Sequence, residues 1–109
     1  MERGDVLELR AHREARGHEQ RGPRLAVVLQ AEEFWPTSTL VVAPTSMSAQ
    51  RREYRPQVRI SNERTSVLVD HISTFDLSRF GEFVGRVSEP ELAEIDSAVI
   101  LFLGLSERL

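Results

Sequence analysis

Ser88-Glu89-Pro90-Glu91-Leu92-Ala93-Glu94-Ile95-Asp96-Ser97-Ala98-Val99-Ile100-Leu101-Phe102-Leu103-Gly104 is the stretch on which the fold class turns. Ser88 is a helix cap, Glu91 stands at the reciprocal capping-box position, and Pro90 lies in the first turn, where its missing N–H costs nothing. Glu89, Glu91, Glu94 and Asp96 crowd the positive end of the dipole. Leu92, Ile95, Val99 and Phe102 repeat at helical spacing, and Gly104 supplies the left-handed stop. The sequence predicts one amphipathic helix here and, apart from a single helical turn, none upstream.

Everything before it reads as short strands. Asp5 to Leu9 is a first strand bounded by Gly4. Leu25 to Gln30 is a continuous apolar run, the mark of a strand buried on both faces. Thr39 to Ala43 is a third strand that Pro44 stops. Gln57 to Ile60 alternates like an edge strand, Ser66 to Asp70 is a buried one, and Phe83 to Val87 is the last. Between Asp70 and Phe83, Asp76 caps one helical turn. Residues 10–23 and 45–55 are long polar loops, and loops of that length are usually functional or disordered. Six short strands and one helix suggest a small, strongly bent sheet or barrel with a single covering helix. At 109 residues the chain reads as a single domain over 1–109, too small to enclose a large active site. A site here is a surface groove or lies across a dimer interface.

Composition excludes several chemistries. Without cysteine there are no disulfides, thiolate metal sites or cysteine nucleophiles. His12, His18 and His71 have no metal-ligand spacing. A phosphate-binding loop of the Gly-x-x-x-x-Gly-Lys type requires a lysine, and the 14 basic residues are all arginine. Gly-x-Ser-x-Gly is absent. The charged start lacks a signal-peptide core, and no apolar run approaches the roughly 18 residues that span a membrane. The expected location is cytoplasmic.

The net charge of −3 is unevenly spread. Residues 1–64 hold 11 arginines against nine acids, and residues 65–109 hold three against eight. The arginines cluster at Arg10, Arg13, Arg16, Arg21 and Arg24, and again at Arg51, Arg52 and Arg55. A guanidinium fork matches phosphate bidentately. Gly17 to Arg24 enters the buried strand with an acid, an amide, two arginines and flexible glycines, and Thr45-Ser46 follows the strand expected to pair with it. If those strands are antiparallel neighbours, Arg24 and Thr45 share one edge of the sheet. That pair suits phosphodiester cleavage: arginine stabilises the charge of the transition state and a hydroxyl donates to a nonbridging oxygen. RNA brings its own 2′-hydroxyl nucleophile, so no metal-activated water is needed. Glu19 is the candidate base, or equally an orienting partner of an arginine.

Met1 to Val6, Gly17-His18-Glu19-Gln20-x-Gly22-x-Arg24, Ala26-Val27-Val28-Leu29, Val42-Ala43-Pro44-Thr45-Ser46 and Asp70-His71-Ile72-Ser73-Thr74, in that order and followed by the final helix, resemble the MazF/PemK/Kid toxins. The resemblance covers nearly the whole chain. It implies an SH3-like barrel, a homodimer, an RNA groove along the dimer interface, no cofactor, and an antitoxin whose tail covers the groove. It implies an endoribonuclease cutting single-stranded RNA to 2′,3′-cyclic phosphate and 5′-hydroxyl ends. Carried over by motif, Arg24, Thr45 and Glu19 are catalytic. His18, Gln20, Arg21, Ser46, Arg51, Arg52, Asp70 and His71 are the expected RNA-contact set. Leu68 stands where Kid-like members place a catalytic arginine, which favours the Arg24/Thr45 arrangement. His71 stands where a glutamine is common; facing Arg24 and Thr45, it would be able to transfer protons near neutral pH. The rival readings on the same scaffold are a CcdB-like gyrase poison that cuts nothing and a degenerate relative that only binds RNA or antitoxin.

Overall fold

A computed structural model of the chain describes residues 1–10 and 24–105. Among these residues are seven strands, β1 (Asp5–Leu9), β2 (Arg24–Val28), β3 (Thr39–Ser46), β4 (Gln57–Ile60), β5 (Glu63–Val67), β6 (Ser73–Asp76) and β7 (Phe80–Arg86), and one α-helix, α1 (Glu89–Leu103). The strands form one curled antiparallel sheet in the order β4-β5-β3-β2-β1-β7, with β6 also on β3. This is the bent sheet with one covering helix that the sequence suggested.

The central strands are largely apolar because both their faces are covered. Val6, Val27 and Ala43 point to one side, where Val58, Val67, Val69 and the helix residues Ile95 and Ala98 complete a core. Leu7, Leu9, Ala26, Val28, Leu40 and Val42 point to the other, under Trp35, Phe75 and Phe80. Phe34, beside Trp35, stays exposed. Of the helical stripe, Ile95 is buried and Leu92 and Val99 pack against the core. Phe102 lies beyond it, half exposed, its ring 4.9 Å from that of Tyr54.

β3 is longer than expected, and Pro44 does not stop it. The strand pairs with β6 through Thr39–Val42 and with β5 through Thr45 and Ser46. Pro44 falls between the two partners. Its carbonyl accepts from the Leu68 N–H at 2.8 Å, so its nitrogen faces the same side, at the gap where no ladder bond is required. β5 begins earlier than expected and ends at Val67, because Ser61 and Asn62 both take positive φ (51° and 66°) and close a two-residue hairpin between Ile60 and Glu63. Val69–His71 is then a 3-10 turn, not the end of a strand. β6 was not expected. Asp76 caps the turn Leu77–Arg79 through the Ser78 N–H at 2.9 Å, as its position predicted.

The helix termini match the sequence reading: Ser88 and Glu91 form both bonds of the capping box, and Gly104 sits at φ 68°. Arg3 fastens the helix to the sheet, donating to the Leu29 carbonyl at 2.9 Å and pairing with Asp96. Among the described residues no helix is long and apolar enough to cross a membrane.

Candidate active site

β2 and β3 are antiparallel neighbours, with Ala26 opposite Pro44. Extending that register sets Leu25 beside Thr45 and Arg24 beside Ser46. The Thr45 hydroxyl donates to the Leu25 carbonyl at 3.0 Å, and Thr45 is buried. Arg24, half-buried at the first position of β2, and Thr45 line one cleft of about 350 Å³. Two side chains 21 positions apart therefore reach one depression because each stands at the same end of a paired strand. Ser46 lines it too, its Oγ accepting from the Ser48 N–H at 3.3 Å.

The opposite wall is the β4–β5 hairpin, which contributes Ile60, Ser61, Glu63 and Thr65. None of these four was a candidate from the sequence. The signal was present: Val58 and Ile60 on one side of Ser61-Asn62, Thr65 and Val67 on the other, alternate as two strands around a tight turn. Reading β5 as starting at Ser66 concealed it. Met47 and Leu25 complete the apolar part of the lining.

The remaining candidates are dispersed. Arg51 donates to Gln57 Oε1 at 3.0 Å and lines a separate depression of about 380 Å³ with Arg59, Arg64, Glu91 and Glu94. Arg52 is exposed and donates to Gln50 Oε1 at 2.9 Å. Arg59 and Arg64 stand directly opposite each other on β4 and β5, so three arginines meet two glutamates in this depression. Glu91, which closes the capping box, also accepts from the Arg59 backbone N–H at 2.8 Å. Burial works against its ionisation, but the Ser88 and Arg59 N–H donors outweigh that and hold it below the ordinary glutamate range.

Asp70 is committed to Arg55. Two of the three guanidinium nitrogens donate to it, Nε to Oδ1 at 3.1 Å and Nη2 to Oδ2 at 2.8 Å. That bonding, before any other influence, holds the carboxyl below the usual aspartate range. Arg55 also donates to the Gln50 carbonyl at 3.0 Å, so the pair pins the 47–56 segment to the turn after β5. His71 places its Nε2 3.4 Å from Asp70 Oδ2 and is half exposed. Neither Asp70 nor His71 is among the residues that line the Arg24/Thr45 cleft. Leu68 is buried, with its side chain in the interior. His18, Glu19, Gln20 and Arg21 lie outside the described residues. Among the described residues no three His, Asp or Glu side chains converge as a metal site.

Comparison with known proteins agrees with this architecture. The family model described as PemK-like, MazF-like toxin of type II toxin-antitoxin system matches residues 2–103. A Mycobacterium tuberculosis protein named as a toxin is 40% identical over 91 residues, covering 83% of this chain and 85% of that protein. A Mycolicibacterium smegmatis protein named probable endoribonuclease MazF is 29% identical over 97% of this chain and 99% of its own length. The crystal structure of MazF from Deinococcus radiodurans superposes with a TM-score of 0.77 at 25% identity, covering 96% of this chain and 97% of that one. A mycobacterial endoribonuclease in complex with its cognate antitoxin superposes at 0.78 with 19% identity, over 96% of each chain, a likeness of fold. With the curled sheet, the single helix and a family match over nearly its whole length, this chain belongs to the PemK-like, MazF-like toxins of type II toxin-antitoxin systems.

Proposed function

We propose that this toxin is a metal-independent endoribonuclease that cuts single-stranded RNA at short sequences. The observation that carries the reading is the convergence of Arg24 and Thr45, from two paired strands, on one cleft. In it Arg24 stabilises the extra negative charge of the pentavalent phosphorane and Thr45 donates to a nonbridging oxygen. The RNA 2′-hydroxyl attacks the adjacent phosphorus, its proton leaves to a base, the bond from phosphorus to the 5′ oxygen breaks, and an acid protonates that departing oxygen. The ends are a 2′,3′-cyclic phosphate and a 5′-hydroxyl. Glu19 is the base or the group that orients an arginine. Ser46, together with His18, Gln20, Arg21, Arg51 and Arg52, supplies RNA contacts, and Asp70 with His71 borders the RNA path at the turn after β5.

The mechanism makes one demand on Thr45. Its hydroxyl donates to the Leu25 carbonyl, so binding must turn it from that acceptor to the phosphate. The exchange trades one neutral hydrogen bond for one to a charged oxygen, which is the stronger of the two.

Several features support the wider reading. The relative named probable endoribonuclease MazF matches over nearly its full length. Among structural neighbours are a mycobacterial toxin with its cognate antitoxin and the MazE-MazF assembly of Deinococcus radiodurans, which supports a protein antitoxin here. The exposed Ile100, Leu101, Phe102 and Leu103 offer apolar surface to a partner, as a homodimer requires. We read residues 1–109 as one toxin domain and assign it to the cytoplasm, the compartment of its substrate.

The test is cleavage of a long single-stranded RNA in EDTA, beside an Arg24→Ala control, with both new ends mapped. Sequence-specific cuts with 5′-hydroxyl ends, lost in the control, are the expected result. Intact RNA across substrates of varied sequence overturns the enzyme reading and directs attention to gyrase binding or a purely antitoxin-binding role.

A further inference from the structure

Thr65 is the one buried side-chain polar group among the described residues whose oxygen has no hydrogen-bond partner. It is only 6% exposed, on the inner face of β5, and it lines the same cleft as Arg24 and Thr45. Native folds pair nearly all buried polar atoms, and an orphan calls for an explanation in function. A valine of the same shape would fill this position without an unpaired hydroxyl.

The surroundings indicate what the hydroxyl is for. Leu25, Met47 and Ile60 give the cleft apolar surface against which a flat ring can lie, and Met47 is 68% exposed. A thioether stacks adaptably on aromatic faces. The cleft, about 350 Å³, is at the small end of the roughly 300–1,000 Å³ range of small-ligand sites, which suits one unstacked base and not a folded segment. Single-stranded RNA is read by splaying a base out, packing its faces and hydrogen-bonding its edge. All three elements lie beside the residues proposed to hold the scissile phosphate.

We propose that this cleft receives one nucleobase flanking the scissile phosphate and that Thr65 is a specificity-determining residue: its hydroxyl, shielded from solvent in the free protein, turns to pair with that base's polar edge. The inference rests on the ribonuclease reading and deepens it. A hydroxyl left unpaired by the wrong base penalises that base, so discrimination comes from the mismatch as much as from the match. Thr65 takes no part in the chemical step.

The test varies the base at each position around the cut site in short RNA substrates and measures kcat/KM for the wild type, Thr65→Val and Thr65→Ser. In Thr65→Val, the preference at one position is expected to collapse by roughly tenfold, a loss of one hydrogen bond's discrimination, with preferences elsewhere unchanged. Thr65→Ser is expected to keep the preference. Because valine removes an orphaned hydroxyl without changing shape, Thr65→Val is expected to melt no lower than the wild type. An active Thr65→Val enzyme with an unchanged base preference overturns the proposal alone. A Thr65→Val protein that melts lower and loses rate uniformly on every substrate overturns it in favour of a structural threonine. A wild type that cuts no RNA removes the ribonuclease reading and this inference with it.

Discussion

The Thr45 hydroxyl and the Leu25 carbonyl, 3.0 Å apart, join β3 to β2 at the mouth of the cleft. One side chain thus serves both the fold and the proposed chemistry, and the two roles respond differently to substitution. Thr45→Val removes the donor and leaves the carbonyl short of one bond, at a cost of about 1 kcal/mol. Thr45→Ser keeps the bond. We expect Thr45→Val to lose RNA cleavage by at least about 100-fold, far more than its stability loss explains, and Thr45→Ser to keep most of it. Urea denaturation beside cleavage assays separates the effects, and equal loss in both variants would assign Thr45 to packing.

Arg55 and Asp70 present a different balance. Their bond holds the Asp70 carboxyl ionised at a lower pH than in the unfolded chain, where an aspartate titrates near about 3.9. Such a group stabilises the fold fully above the unfolded pKa and ceases to as pH falls through the folded one. His71, 3.4 Å away, is the other titratable group facing it. The melting temperature of Asp70→Asn should lie below that of the wild type at neutral pH and converge on it in acid. Because the pair pins the segment carrying Met47 and Ser48, RNA cleavage should show a raised KM with kcat little changed. Parallel melting curves from neutral to acid pH would remove the pair from the stability account.

His71 offers a sharper contrast. The sequence left it as a candidate proton carrier on condition that it face Arg24 and Thr45. In the structure its Nε2 faces Asp70 and it is not among the cleft-lining residues. His71→Gln should therefore leave kcat and its pH profile unchanged. A lost limb in that profile would return His71 to the chemistry.

Arg59 and Arg64 are like charges in direct cross-strand register, with Glu91 and Glu94 in the same depression as counter-charges. Arg64→Gln should leave stability within about 0.5 kcal/mol and weaken RNA binding, reducing the salt slope by about 0.7 for one lost phosphate contact on a single strand. Weaker binding at unchanged stability identifies a residue placed for its ligand. Unchanged affinity from low to high salt would make the patch a solvated face.

The parts legible in the sequence were those specified locally. Ser88, Glu91 and Gly104 announce a helix without reference to anything distant, and Val6, Leu7 and Leu9 next to Gly4 announce β1. Pro44 was misread because a missing donor matters only if a ladder bond is required there, and that depends on where β3 exchanges β6 for β5. The Ser61-Asn62 turn lacks the glycine that marks most such hairpins. Thr45 and Arg24 were identifiable as a pair by motif and strand order, whereas Thr65 acquires meaning only from a wall that long-range pairing builds. Arg55 appeared in a basic cluster, yet its partner lies 15 positions on and is set by the turn after β5.

The two apolar layers on β1, β2 and β3 have a consequence for how this toxin diversifies. Strands packed on both sides have few positions free to change, since a substitution at most of them disturbs one layer or the other. The cleft's second wall is built differently, from a hairpin closed by its own turn and a segment fastened by the Arg55–Asp70 ion pair. Substitutions there alter what the groove accepts while the scaffold bearing Arg24 and Thr45 stays constant, so new RNA preferences can arise by local change alone.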